Sequence, residues 1–372
     1  MAGTWESQNK VLPGAYINIR TNEPLSITPG DRGIVVILQE MSAGADGAVY
    51  TITATEAAWP DGVTAIDKKL AAEALKKAKT VLVYKLKASH KAADVTSALT
   101  ALKTVQFNTL CYPYDGEGEE VNKTAIATWI RAMRDDEGVK CQAVLANHVA
   151  DSEGIINVVQ GIIMPGNQEL TAAEVTAWVA GATAGASITT SNTGMVYAGA
   201  IDVKPRMTKS EMEAAVTAGK FIFKVDTAQN VSVVYDINSL TAVTVDKGKM
   251  FTKNRVIRTV DNIANDITKI FEANYVGKVN NNDEGRSLLK ASLVDYFATL
   301  QTMGAVQNFV TDDITVAKGN DSDAVVIEPP RQPPGPPAPG EPRRGGGPVP
   351  DHAAPLRPPS EGVITQWQRQ SG

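Results

Sequence analysis

Between Arg255 and Glu272 the apolar residues Val256, Ile257, Val260, Ile263, Ala264, Ile267, Ile270 and Phe271 recur at helical spacing, with Arg255, Arg258, Asn262, Asn265, Asp266, Lys269 and Glu272 falling between them. That periodicity predicts a long amphipathic helix with one face that packs and one that faces outward. A second stripe, Leu288, Leu289, Leu293, Tyr296, Phe297 and Leu300, predicts a second helix, N-capped by Asp283 and ending near Gly304. An Asn-rich loop joins the two. Both stripes read first as core packing, and no nucleophile, base or metal cluster accompanies them, so the weight falls on surfaces that pack.

From Gly33 to His148 short apolar runs alternate with helical patterns. GIVVILQ, VYTITA, TVLVYKL, FNTLCYP and KCQAVLA predict strands, and DKKLAAEALKKA, AADVTSALTALKT and KTAIATWIRAMRD predict helices. Buried strands such as Val81 to Leu86 and Cys141 to Leu145, each separated from the next by a helix, require a largely parallel sheet covered on both faces. Beyond His148 the chain runs through GIINVVQG to the helix ELTAAEVTAWVAGATAG, the turn SITTSNTG and a strand MVYAGAID. Pro205 precedes a helix in which Thr208 and Glu211 have capping-box spacing and which Gly219 closes. FIFKVD and VSVVYDI then predict a hairpin through Thr227 to Asn230.

The two ends differ from this body. The opening MAGTWESQNKVLPGAYINIRTNEP passes through Pro13 and Gly14 into the alternation Tyr16, Ile17, Asn18, Ile19. This is an extended arm that cannot bury a face of its own and must pair with another strand, an edge position in its own sheet being the simplest. At the other end, thirteen of the twenty prolines lie between Pro329 and Pro359. Proline lacks the donor that a sheet ladder needs, and a Pro/Gly/Arg composition buries no core, so the tail is expected to be disordered or polyproline-like. PxxP patterns such as Pro330 to Pro333 are weak signals in such a composition.

At 372 residues and 43% hydrophobic, the chain is long enough for one large or two moderate domains with a real core. A net charge of -5 and a pI near 5.4 argue against broad nucleic-acid binding. Cys111 and Cys141 sit in apolar, strand-like contexts, which predicts buried thiols in a reducing cytoplasm. No apolar run approaches the roughly 20 residues that span a bilayer. The amino terminus also lacks a basic-then-apolar signal, so a soluble cytoplasmic product is expected.

Catalytic signals fail one by one. The histidines are His90, His148 and His352. His148, Asp151 and Ser152 have the residue types of a hydrolase triad, but they are local neighbours at a strand end, where capping the next segment is the simpler role. No GxSxG elbow is present. Residues 181–187, GATAGAS, lack GxGxxG spacing, and AGK at 218–220 lacks the upstream glycine of a P-loop. Asp312, Asp313, Asp321 and Asp323 lack calcium-loop spacing, and no His/Cys set has zinc spacing. No metal or cofactor is expected.

The order helix, strand, strand, DINSL and basic helix in residues 205–301 carries a resemblance. Asp236, Asn238, Ser239 and Leu240, with Lys253, Asn254, Arg255, Asn280, Asn281 and Arg286, match the C-terminal half of contractile tail sheath proteins. These are the subunits that surround the rigid tube of myophage tails and of R-type bacteriocins. Pro13, Gly14, Tyr16 and Asn18 match the family's PGxYxN-like opening, and the resemblance covers most of residues 1–327 before it stops. It implies an α/β fold class: a mixed, largely parallel sheet flanked by helices, a subtilisin-like sheath core without protease activity, a C-terminal α+β handshake-type domain and extended terminal arms. The implied division is an arm at 1–30, an N-terminal α/β part at 31–90, a central domain at 91–245 and a C-terminal domain at 246–328. The tail, 329–372, is unlike the family.

What the resemblance implies about function is mechanical. A non-enzymatic subunit would polymerise as hexameric rings around a tail tube and contract by rigid-body rearrangement, driving the tube through a target envelope. It would assemble in the host cytoplasm and reside in a virion tail or bacteriocin particle. The implied partners are copies of itself, the tube protein, and baseplate and tail-terminator proteins, with no nucleic acid and no membrane insertion. Arms adding strands to neighbouring sheets would join the subunits, with Pro13, Gly14, Tyr16, Ile17, Asn18 and Ile19 at one end and Val325, Val326 and Ile327 at the other. Lys253, Arg255, Arg258, Arg286 and Lys290, bases gathered in one region of an acidic chain, are the candidate tube-facing set, ordinary solvated helix charges being the alternative. The sequence also admits a hydrolase on a subtilisin-like scaffold and the sheath of a cell-encoded contractile secretion system.

Overall fold

A computed structural model describes residues 32–55, 57–244, 247–320, 324–328 and 363–366. The expected N-terminal arm, with Pro13, Gly14 and Tyr16 to Ile19, lies outside the described residues. The first half of the chain runs β1 (Ile34–Glu40), β2 (Val49–Thr53), α1 (Ala65–Leu75), β3 (Thr80–Leu86), α2 (Ala92–Leu102), β4 (Thr109–Tyr112), α3 (Glu119–Asp135), β5 (Gln142–Ala146) and β6 (Ile155–Val158). It continues through β7 (Gly161–Met164), β8 (Gln168–Leu170), α4 (Ala172–Gly185), β9 (Asp202–Lys204), α5 (Lys209–Thr217), β10 (Lys220–Phe221), β11 (Phe223–Val225) and β12 (Val231–Val233). The last part is α6 (Asn254–Asn274), α7 (Asp283–Thr302), β13 (Thr315–Lys318), β14 (Ala324–Glu328) and β15 (Val363–Gln366).

Seven strands form one sheet in the order β10-β6-β5-β4-β1-β3-β2, every neighbouring pair parallel except β2 with β3. The strand period of two divides its side chains between two cores. Val35, Ile37, Val81, Val83, Cys111 and Val144 pack with α1 and α4 on one face. Val36, Leu38, Leu86, Leu110, Tyr112 and Leu145 pack with α2 and α3 on the other. Both faces are therefore closed, as the continuous apolar strands require.

Helix α4 is buried nearly all round, with Trp178 stacked on Tyr197 at 4.4 Å between ring centres. It meets α1 backbone to backbone. A Cβ at Gly181 would stand 2.2 Å from the Ala74 carbonyl oxygen, and one at Gly185 2.0 Å from that of Lys77. MVYAGAID, read as a strand, is not one: Val196 makes a single bridge to Ser232, then the chain turns at Gly199 (φ +86°) and β9 begins only at Asp202. The Tyr197 N–H still donates to the Val231 carbonyl at 2.9 Å, while its ring belongs to the α4 core and its hydroxyl donates to Glu73 at 2.7 Å. The run FIFKVD also divides. Its first residues extend the large sheet beside β6, and Phe223 onward pairs with β12 as the expected hairpin. Gln160 holds the division, its Oε1 accepting from the Phe223 N–H at 2.7 Å.

Helices α6 and α7 form an antiparallel pair whose core joins Ile267, Phe271, Tyr275, Leu289, Leu293 and Phe297 to Ile314, Val325 and Ile327. The α7 N-cap is Asn282, one residue before the expected Asp283, its side chain accepting from the Gly285 N–H at 2.8 Å. Two further expectations are corrected here. Val325, Val326 and Ile327 are no free arm: they lie in β14, the middle strand of a β13-β14-β15 sheet, with Val325 and Ile327 buried in the chain's own core. Of the Pro-rich tail only the strand β15, antiparallel to β14, is described, and the expectation of disorder in the rest lies outside the described residues. Average composition hid the four residues VITQ, which lack proline and suit a ladder.

The α1–α4 approach gives a direct test. Gly181→Ala should destabilise the chain by about 1–3 kcal/mol in urea unfolding, overpacking outweighing the better helix propensity of alanine. An unchanged or higher midpoint would show that α1 yields freely.

Candidate assembly surfaces

The residues of the would-be triad are set to different tasks. His148 Nδ1 lies 2.8 Å from Glu120 Oε1, and its backbone N–H donates to Asn157 Oδ1. Asp151 Oδ1 accepts from the backbone N–H groups of Ala242 and Thr241 at 2.9 and 2.6 Å, which hold its carboxyl below the usual carboxylate range. Ser152 Oγ accepts from Gly154 N–H at 3.2 Å. No nucleophile faces a base here: Ser152 holds the turn into the next segment, as expected, whereas Asp151 ties down a loop 90 positions on.

Doubly wound sheets place ligands outside the strand ends where the order reverses, here between β1 and β4. That position is filled from within. His90 Nδ1 is 2.6 Å from Glu40 Oε1 and its Nε2 2.6 Å from the Tyr112 hydroxyl, which is also bonded to Glu119 and Asn122. The His90 side chain is 3% exposed. Burial pushes the Cys111 and Cys141 thiols up to about 12, far from nucleophilic. Among the described residues no His, Cys, Asp and Glu group could hold a metal ion, and no helix is long and apolar enough to cross a membrane.

The five candidate tube-facing bases do not form one region. Lys253 and Arg255 stand at the start of α6, where an Arg255 Nη2–H reaches the Gly304 carbonyl at 3.4 Å beyond the end of α7. Arg286 and Lys290 lie in the first turns of α7, lining an open cleft with Asp283, Ser287 and Val316. Sixteen residues of helical rise place Arg286 about 25 Å from the end of α7 at Thr302. Arg286 is already engaged by Asp283 and by Asn281 Oδ1.

Arg258 belongs to neither end, and its tube-facing assignment is corrected. The side chain is fully buried, with Nη2 donating to Asp236 Oδ2 at 2.9 Å and to the Thr190 carbonyl at 2.7 Å. Asn262 and Asp266, expected on the outward face, are buried too, whereas Lys269 and Glu272 are exposed. The cause is that α6 is covered on two sides. Its apolar stripe meets α7, where the Tyr296 hydroxyl and Asn262 both donate to Asp266. Its other polar residues meet the α/β body through Arg134–Asp261, bidentate at 2.6 and 2.8 Å, and through Asn265, which exchanges two hydrogen bonds with the Lys140 backbone. Burial alone would lower the Arg134 guanidinium, but the Asp261 charge and hydrogen bonds reverse this and hold it above its ordinary value. Sequence reading missed Arg134 and Asp261, which are 127 positions apart with no local pattern linking them.

Residues 32–86 match the tail sheath protein Gp18 domain III N-terminal region, 88–239 the phage tail sheath protein central domain and 246–336 the phage tail sheath C-terminal domain. The phage-like element PBSX protein XkdK of Bacillus subtilis is 36% identical over 244 residues, 63% of this chain and 52% of that protein. The tail sheath protein of Clostridium phage phiCD119 is 33% identical over 226 residues, 60% of this chain and 61% of that protein. The chain thus spans little more than half the length of these relatives. The crystal structure of a sheath tail protein from Desulfitobacterium hafniense superposes with a TM-score of 0.75 at 32% identity, covering 84% of this chain and 95% of that one.

Two measurements probe this geometry. Arg258→Ala should cost about 3–5 kcal/mol, because it strands the buried Asp236 charge, while Lys253→Ala should change stability by less than about 1 kcal/mol; equal effects in denaturant melts would refute the burial contrast. Asp151 has a folded pKa below its unfolded value, so its contribution is present above the ordinary carboxylate pKa and lost as pH falls through the folded value. Asp151→Asn should therefore flatten the acid limb of the stability–pH curve and leave its neutral-to-basic limb parallel to wild type.

Proposed function

The chain belongs to the phage tail sheath protein family, a family of structural proteins and not of enzymes, and from that premise we propose that it is a force-transmitting subunit of a contractile tail. The hydrolase reading falls with that membership. Copies polymerise as hexameric rings around a tube, in the tail of a phage or phage-like particle, and contract by moving as bodies between two sets of lattice contacts. The observation that carries this reading is the buried polar seam joining α6 to the seven-stranded body, which makes the C-terminal helices and the sheet one lever. The energy of contraction lies in lattice contacts, with a baseplate as trigger and a terminator closing the far end.

The division into an arm at 1–30, α/β parts at 31–90 and 91–245 and a C-terminal unit at 246–328 is part of this proposal. So is the role of Pro13, Gly14 and Tyr16 to Ile19 as a strand donated to a neighbour, a form of β-augmentation. Of the basic candidates, Lys253 with Arg255 and Arg286 with Lys290 stand as two alternative tube contacts, since about 25 Å separates them.

Co-expression with the cognate tube protein followed by electron microscopy tests the reading: decorated tubes are expected, and bare tubes beside folded, unassembled subunits would sink it. Lys253→Glu/Arg255→Glu and Arg286→Glu/Lys290→Glu should differ, one pair weakening decoration more at low salt than at high salt and the other leaving it unchanged. Undiminished decoration with both pairs would remove these bases from the tube contact.

A further inference from the structure

Among the described strands, β14 has a neighbour on each side: β13 pairs with one edge and β15 with the other, Val325 opposite Thr365, Val326 opposite Ile364 and Ile327 opposite Val363. Thirty-four residues, 329–362, separate the two paired strands β14 and β15, where a hairpin needs about two to five. The connection therefore does not dictate the pairing. Val325 and Ile327 are buried against α6 and α7, which fixes the register that β14 offers to any strand on that edge. An unoccupied edge of this kind is a template for a strand from another chain.

We propose that β15 is a self-derived cap. It holds in cis the edge of β14 on which a strand of a second copy of this chain would dock, and so restrains the free subunit from strand-mediated association. A tethered strand competes at an effective concentration on the order of millimolar, ahead of an untethered strand at micromolar subunit. With only four paired residues, β15 is displaceable where copies are held side by side. The use of this edge by a second copy rests on the sheath-subunit reading; its occupation by β15 does not.

The test is a cysteine pair, Val326→Cys with Ile364→Cys, in the full chain. Directly opposed residues in an antiparallel ladder lie about 4.5–5.5 Å apart at Cα, within disulfide reach. Cys111 and Cys141 are buried and do not compete. Oxidation in dilute solution should give an intrachain bond, seen as a faster-migrating monomer on a non-reducing gel. Val326→Cys with Thr365→Cys, which are not opposed in the ladder, should give none. By sedimentation velocity, the locked form should associate at least tenfold more weakly than the same protein reduced. An interchain bond, or no bond, in the first pair overturns the cap whatever the protein's function. Identical behaviour of the locked and reduced forms, associated or not, overturns its inhibitory role while leaving the sheath-subunit reading intact.

Discussion

The architecture depends on a buried polar seam in which Arg134 grips Asp261 and Arg258 grips Asp236. Taking four charges out of water costs several kcal/mol per ion, and the attraction offsets this only where geometry is good and the remaining donors and acceptors are met. Here the Arg134 pair is bidentate and Asn254 Nδ2 donates to Asp236 at 3.0 Å, but Arg258 Nε and Nη1 are buried without a hydrogen-bond partner among the described residues. The seam contributes alignment more than net stability. A hydrophobic interface would tolerate a shift of α6 by a residue, whereas these pairs leave buried charges stranded if it slips. Arg32 shares the seam, and burial, with the nearby Arg258 charge, pushes its guanidinium down to about 10. The α6–α7 pair and the β13-β14-β15 sheet take their position from this one register.

The body was legible in the sequence because its signals are local. Apolar runs bounded by helical patterns produce a parallel sheet with two covered faces, and the Thr208–Glu211 box starts α5 where its spacing said. The turn from Thr227 to Asn230 closes the β11–β12 hairpin for the same reason. The first misreading came from the helical wheel of α6. A wheel separates apolar from polar positions and assigns the polar ones to water, yet Arg258 meets Asp236 and the Thr190 carbonyl, Asn265 the Lys140 backbone and Asp266 the Tyr296 hydroxyl, all contributed from elsewhere in the chain. Arg258 was misplaced on those grounds, and no periodicity could have placed it otherwise. DINSL marks Asp236 as a motif residue, but its pairing with a buried base has no local signature.

The second misreading concerns scale. Composition averaged over 329–372 describes a chain that cannot form a core, and VITQ is too short to alter that average. A strand of four residues needs no core of its own when β14 already presents a buried, registered edge. MVYAGAID failed in the opposite direction. Its alternation suits a strand, but it meets β12 only around Val196, the Tyr197 N–H donating to the Val231 carbonyl, before the chain turns away at Gly199.

These features together confine what the chain can do. Both sheet faces are covered, the crevice at the strand-order reversal is filled by Glu40, His90 and Tyr112, and the thiols are held protonated by burial. Among the described residues the interior is filled by packed side chains, which leaves the surface as the place where a structural subunit makes its contacts. A body that transmits force profits from having its soft contacts at its periphery and its strong ones within. The buried seam puts the strongest polar contacts between the two halves of the subunit. The short ladders of β13, β14 and β15 lie at its margin, where a few hydrogen bonds can be exchanged without disturbing the seam. Displacing β15 costs one four-residue pairing, whereas separating α6 from the body exposes two buried ion pairs. On the proposed sheath-subunit reading, rearrangement between copies would proceed through strand contacts while each subunit keeps its shape.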